Sequence, residues 1–165
     1  VCLQPEFVQG VQLLSEYHLS FDLCIRHWQL PAITELVRRC PETQFILDHL
    51  GKPDVKTHLL DPWREQLYAL AALPNVACKV SGLVTEAAHS AWRPEDLAPY
   101  IGHVLEVFGE DRVLFGGDWP VVLLASSYAR WIGTLQMLTT ALSERATRKL
   151  WSENAQHLYC LALSD

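Results

Sequence analysis

The chain has 165 residues, half of them hydrophobic, and this length allows a single domain with a substantial buried core. Its 13 lysine and arginine residues face 19 aspartate and glutamate residues, giving a formal net charge of −6, and the charges are scattered along the chain. Such a balance does not attract a phosphate backbone, so the sequence argues against a nucleic-acid partner.

The cysteines and the apolar stretches predict the cellular compartment of the protein. The five cysteines, at positions 2, 24, 40, 78 and 160, form no Cys-x-x-Cys pair, and we interpret them as buried free thiols of a reducing cytosol. Apolar stretches such as Leu67 to Leu73 are too short to cross a bilayer, and no signal-peptide pattern is visible. The sequence therefore predicts a cytoplasmic protein with no membrane partner.

Hydrophobic periodicity predicts an alternation of helices and strands along the chain. The first helix follows Pro5 and has apolar residues at spacings of three and four. In chain order the later elements are a strand over 21–25, a helix over 31–40, a strand over 45–48, a helix over 62–71, a strand over 76–81, a helix over 94–108, a strand over 113–115 and helices over 132–138 and 143–158.

The strands are nearly continuous apolar runs separated by helices long enough to cross over, which predicts a parallel sheet covered by helices. The fold class is therefore α/β, in one domain over residues 1–165. An open doubly wound sheet and a closed eight-stranded barrel both satisfy this pattern. No Gly-x-Gly-x-x-Gly or Walker-type loop follows any strand, so a nucleotide-binding version has no support.

Polar residues follow the predicted strands at their carboxyl ends, where parallel α/β folds bind ligands. His27 follows the first strand, His49 the second, Lys79 and Ser81 end the third, and Asp118 follows the fourth. An imidazole and a carboxylate that converge on one pocket are sufficient to activate water. A metal site has weaker support, because the chain has no His-x-His pair and no cysteine cluster.

Strand alternation assigns these residues to faces of the sheet. It places Lys79 and Ser81 on the face opposite the apolar residues of their strand, which is the interior of a closed barrel. It places His49 on the same face as Phe45 and Leu47.

Each candidate also has a structural interpretation. Lys79 fits a structural lysine paired with carboxylates, and His49 fits a core-edge histidine that satisfies neighbouring backbone groups. Asp118 lies among Gly and Pro residues and fits the cap of a turn.

Four segments carry a resemblance to a known family. Together they resemble the amidohydrolase-related family 2, in its sugar-lactone hydrolase branch, and the resemblance covers almost the whole chain. The segments are FILDHLGKP (45–53), NVACKVSGL (75–83), RVLFGGDWPV (112–121) and LWSENAQHLY (150–159).

The resemblance implies a (β/α)8 barrel whose members open lactone rings of sugar acids or of pyrone dicarboxylates, with or without a metal ion. It implies that Asp118 is the general base and then the general acid, and that His49 polarises the lactone carbonyl. We expect His27, Lys79, Ser81 and Trp119 to contact a small-molecule lactone. We expect no cofactor, while a divalent metal such as zinc remains an open alternative.

One departure limits this expectation. The family carries a His-x-His pair on its first strand, and this chain has none. A complete barrel takes about 250 residues, so four strand–helix units in this chain predict the second half of the barrel, strands five to eight. Three alternatives remain open for such a half-barrel. A missing N-terminal half completes it, dimerisation closes it, or it stays open and inactive.

Two other functions remain open at this point. One is a zinc-dependent decarboxylase of the same superfamily, which also uses His and Asp at strand ends. The other is a non-catalytic α/β fragment that acts through association.

Overall fold

A computed structural model describes residues 1–161, in which four strands form one parallel sheet. The strands are β1 (Phe21–Leu23), β2 (Phe45–Leu47), β3 (Val76–Val80) and β4 (Val113–Phe115), and they lie in the order β1-β2-β3-β4. This confirms the α/β class and the parallel sheet. Since the order follows the chain without a reversal, it matches a segment of a barrel rather than a doubly wound sheet.

Helices connect and flank the strands. A proline in the first turn begins α1, α2 and α5, where its missing N–H costs no hydrogen bond. The short helix α4 lies where the sequence predicted only a loop, and the predicted last helix is divided by a π-turn over Lys149–Glu153. The helices are α1 (Pro5–Glu16), α2 (Leu30–Arg39), α3 (Trp63–Ala71), α4 (Leu83–Glu86), α5 (Pro94–Phe108), α6 (Tyr128–Leu138), α7 (Glu144–Arg148) and α8 (Asn154–Leu158).

The two faces of the sheet are covered differently. One face, which includes Leu47, Val76 and Cys78, packs with the helices in the main hydrophobic core. The opposite face carries a small cluster of Ile46, Ala77 and Leu114, against which Ala155, Leu158 and Tyr159 pack. The last helix and the residue after it therefore cover the face that turns toward the interior of a barrel.

The burial of the cysteines differs from the sequence prediction. All five are free thiols, but only Cys40 and Cys78 are fully buried, and burial raises the pKa of both. The prediction of burial was wrong for Cys24 and Cys160, which are exposed because each follows the end of an element rather than facing the core.

None of the helices in residues 1–161 combines the length and the apolar character needed to cross a membrane.

Candidate functional site

The structure brings His49 and Asp118 together at the carboxyl ends of the strands. Nε2 of His49 lies 3.8 Å from Oδ1 of Asp118, and their side chains are only 17% and 10% exposed. This distance exceeds a direct hydrogen bond, so the two groups are neighbours that can both contact one oxygen atom between them. The predicted convergence of the two residues is confirmed.

Backbone conformation, not strand alternation, sets the direction of both side chains. β2 ends at Leu47, and His49 lies in the following turn with a φ of 54°. Asp118 has a φ of 52° after the paired glycines. The left-handed conformation is uncommon for residues with a Cβ, and it recurs at functional sites.

The predicted face of His49 was therefore wrong. The turn carries its ring away from the face of Phe45 and Leu47, to the face of Ser81. Nδ1 of His49 lies 2.8 Å from the hydroxyl of Ser81, which is only 1% exposed. The buried hydroxyl is positioned to orient the imidazole ring. The contact between Ser81 and substrate that the sequence predicts remains a prediction.

Gly82 makes room for the histidine ring. It has a φ of 65°, and a Cβ at this position would lie 2.5 Å from Nδ1 of His49. The residue thus needs to be glycine for both conformational and steric reasons. Sequence reasoning missed this role, although a glycine directly after a predicted strand was the available signal.

The paired glycines before Asp118, Gly116 and Gly117, also permit close approach. A Cβ on Gly116 would lie 2.8 Å from Cβ of Ser81, and one on Gly117 would lie 2.6 Å from the ring of Tyr128. The segment that carries Asp118 therefore packs directly against β3 and α6.

Burial shifts the pKa values of the two central groups in opposite directions. It lowers the pKa of His49, although the nearby carboxylates of Asp118 and Asp48 oppose this shift. It raises the pKa of Asp118, against the opposing effect of His49 and Lys52. The pair therefore favours a neutral imidazole beside a carboxylate that is more basic than an exposed aspartate.

Lys79 is held by two carboxylates. Its Nζ lies 2.6 Å from Oδ1 of Asp48 and 2.8 Å from Oδ2 of Asp22. Burial alone would lower the pKa of Lys79, but the hydrogen bonds to the two carboxylates raise it. The hydroxyl of Tyr159 donates to Asp22 at 2.7 Å, which ties the C-terminal segment to this cluster.

These contacts match the interpretation of Lys79 as a paired structural lysine. Its expected contact with substrate remains a prediction. Sequence reasoning missed Asp22 and Asp48 as its partners. The available signal was strand alternation. Asp22 and Asp48 each occupy a position of the two-residue period that faces the interior.

The remaining predicted residues lie around the rim. His27 lies in the short turn His27–Gln29 with its ring 5.0 Å from that of Trp28. Trp119 is 69% exposed. For these two residues, the contacts found within residues 1–161 do not include His49 or Asp118, and their role in binding substrate remains a prediction.

One mixed group of potential metal ligands occurs within residues 1–161. The ligand atoms of Cys24, Asp48 and His49 all lie within 4.8 Å of one another. No sequence motif indicates this group, because its members come from two segments and show no motif spacing. The expectation of a weak metal site rested on the absence of such a motif.

Residues 3–161 match the family model described as Amidohydrolase. The chain belongs to the amidohydrolase family. The family resemblance predicted from the four segments is thereby confirmed.

Several members of this amidohydrolase family resemble the chain over nearly its whole length. An L-fucono-1,5-lactonase of Burkholderia multivorans is 36% identical in an alignment of 169 positions, gaps included, which takes in 94% of this chain and 56% of that protein. An L-rhamnono-gamma-lactonase of Scheffersomyces stipitis is 26% identical, over 94% of this chain and 53% of that protein.

A solved structure gives the same relationship. The crystal structure of an amidohydrolase from Burkholderia multivorans with bound zinc has a TM-score of 0.93 and 34% identity, over 96% of this chain and 58% of that one. The parallel α/β fold is thus that of the TIM-barrel amidohydrolases. The chain spans little more than half the length of these relatives, which agrees with the predicted C-terminal half.

Proposed function

We propose that this amidohydrolase hydrolyses a small lactone derived from a sugar acid. The observation that carries the proposal is the 3.8 Å contact between His49 and Asp118 at the carboxyl ends of the strands. Relatives named as lactonases for L-fucono-1,5-lactone and L-rhamnono-gamma-lactone support this substrate class.

Asp118 is the proposed general base. Its carboxylate removes a proton from a water molecule, and the resulting hydroxide attacks the lactone carbonyl. Burial raises the pKa of Asp118, which makes the carboxylate a better proton acceptor than an exposed one. The protonated Asp118 then donates to the ring oxygen as the carbon–oxygen bond breaks, so the carboxylate is regenerated.

His49 is the proposed electrophilic partner. When the hydroxyl of Ser81 donates to Nδ1, the neutral ring carries its proton on Nε2, the nitrogen that faces Asp118. An N–H at this position can donate to the carbonyl oxygen and stabilise the negative charge that develops there. Burial lowers the pKa of His49 and so favours this neutral form.

We further propose that hydrolysis requires a second half-barrel. Strand β1 pairs only with β2 and β4 only with β3 among residues 1–161, so each presents a free edge. Free strand edges favour association with another strand. The second half is supplied by the rest of a longer protein or by a second copy, and residues 1–165 alone then have little hydrolase activity.

The substrate class is tested on a panel of sugar lactones that includes L-fucono-1,5-lactone and L-rhamnono-gamma-lactone. The complete protein that carries this chain is expected to release one hydroxy acid per lactone consumed. Release of carbon dioxide from aromatic acids, without lactone opening, would contradict the proposal and favour a decarboxylase.

The need for a second half is tested on the same panel with residues 1–165 alone, whose mass in solution is measured by sedimentation. We expect a turnover well below that of the complete protein if the isolated chain is a monomer. Equal turnover by a monomer would contradict this part of the proposal.

A further inference from the structure

The turn that carries His49 is left-handed over four consecutive residues. His49, Leu50, Gly51 and Lys52 have φ values of 54°, 54°, 71° and 50°. Such a run is rare for residues with a Cβ, and here the core stabilises it. Leu50 is fully buried, and its carbonyl oxygen accepts a 2.8 Å hydrogen bond from the indole N–H of Trp63. Packing therefore fixes the backbone that presents His49 and Lys52.

This turn places Lys52 on the same side as His49. The backbone N–H of Lys52 donates to the carbonyl oxygen of His49 at 2.8 Å. A turn closed in this way has about three residues per turn, so side chains three positions apart lie one above the other. The two intervening residues, Leu50 and Gly51, are buried against the core. The ammonium of Lys52 is close enough to the central pair to favour a lower pKa for both His49 and Asp118.

Lys52 has no carboxylate partner among residues 1–161. The ion pairs that lysines form there belong to Lys79 and Lys149. Lys52 is nevertheless partly buried, so its ammonium loses part of its hydration without a protein carboxylate to compensate. The ammonium has three N–H donors, and they are available to an oxygen atom of a bound substrate.

We propose that Lys52 donates to the carbonyl oxygen of the lactone together with Nε2 of His49. This inference rests on the proposed function and adds a catalytic residue to it. When water attacks the carbonyl carbon, the electron pair of the carbonyl bond moves to the oxygen, and the two donors stabilise the resulting negative charge.

The protons and electrons of this step balance without further groups. The electron pair returns to the carbonyl bond as the ring carbon–oxygen bond breaks. Asp118 transfers the proton taken from water to the departing ring oxygen, and the new acid ionises to solvent. Lys52 remains protonated throughout, since it supplies charge and hydrogen bonds but transfers no proton.

The role of Lys52 is tested by substitution in the complete protein that carries this chain. We expect Lys52→Met to lower kcat for lactone opening by about 100-fold, with KM changed by less than about threefold, because the donor acts mainly in the transition state. Lys52→Arg keeps the charge and the donors and should recover at least about a tenth of the rate. The matched control is Lys56→Met, at an exposed position, which should keep its rate.

The pH dependence of kcat separates a contact with substrate from an effect on Asp118 alone. Since the charge of Lys52 favours a lower pKa for Asp118, its removal should move the acidic limb of the profile to higher pH. On the plateau above this limb Asp118 is ionised in every variant, and we expect the loss in Lys52→Met to persist there. Full recovery on the plateau, or an effect confined to KM, would overturn the contact with the carbonyl oxygen.

The hydroxy acid formed from L-fucono-1,5-lactone provides a measurement without turnover. Its carboxylate retains the former carbonyl oxygen, so Lys52→Met should weaken its binding by about tenfold in calorimetry, and Lys56→Met should not. This difference in a protein that opens no lactone would disprove the proposed function and leave the Lys52 contact standing. Equal affinities of the unmodified protein and Lys52→Met would overturn the contact.

Discussion

Ser81 and His49 are joined across adjacent strands by a 2.8 Å contact between a buried hydroxyl and Nδ1 of the ring. The serine lies at the end of β3, between the strands that precede His49 and Asp118. Ser81, at the end of β3, therefore orients the imidazole ring of His49, which follows β2. When the Ser81 hydroxyl donates in this contact, the neutral ring carries its N–H on Nε2, toward Asp118.

Replacement of Ser81 by alanine tests this orienting role. We expect Ser81→Ala to lower kcat for lactone opening about fivefold to tenfold, with little change in KM, because a hydrogen bond of about 1 kcal/mol to the ring is lost. The matched control is Ser90→Ala, at an exposed position. A change confined to KM would instead show that Ser81 binds substrate.

Glycine 82 should not tolerate a side chain. Gly82→Ala places a Cβ 2.5 Å from Nδ1 of His49 at a φ of 65°, so we expect the free energy of unfolding to fall by about 1 to 2 kcal/mol and the lactonase rate to fall with it. Urea unfolding measures the first effect.

The control for Gly82 is Gly102→Ala, in the interior of α5, where a Cβ meets no atom within 4 Å. It should raise the free energy of unfolding by about 0.5 to 1 kcal/mol, because alanine favours a helix over glycine. Equal effects of the two substitutions would contradict the steric role of Gly82.

Substitution of Lys79 distinguishes a structural role of this residue from a role in substrate binding. Lys79→Met leaves Asp22 and Asp48 without their shared cation, and we expect the free energy of unfolding to fall by about 2 kcal/mol. Lys56→Met, at an exposed position, should change it by less than about 0.5 kcal/mol. Unchanged stability together with a raised KM would show that Lys79 binds substrate and would contradict the structural role.

The alternation of strands and helices could be predicted because parallel strands buried on both faces are continuous apolar runs. Val76 to Val80 is such a run apart from Lys79, and the structure gives it as β3. Periodicity could not choose between a barrel and an open sheet, since the choice depends on the order of strands. The short helix Leu83–Glu86 was missed because four residues are too few to show a helical period.

The pairing of His49 with Asp118 could be predicted, but the way it is achieved could not. A period of two holds only while the backbone remains extended, and His49 lies beyond the strand at a positive φ. The carboxylates of Asp22 and Asp48 were missed for another reason. Their partnership with Lys79 depends on the register between strands, which the sequence of one strand does not reveal.

The most direct test of the central claim is the turnover of Asp118→Asn in the complete protein that carries this chain. The amide keeps the shape of the carboxylate but cannot accept a proton from water. The account predicts that kcat for lactone opening falls by at least about 100-fold while the melting temperature changes by no more than a few degrees. The control Asp61→Asn, at an exposed carboxylate paired with Arg64, should keep its rate. Turnover by Asp118→Asn within a few fold of the unmodified enzyme would contradict the account.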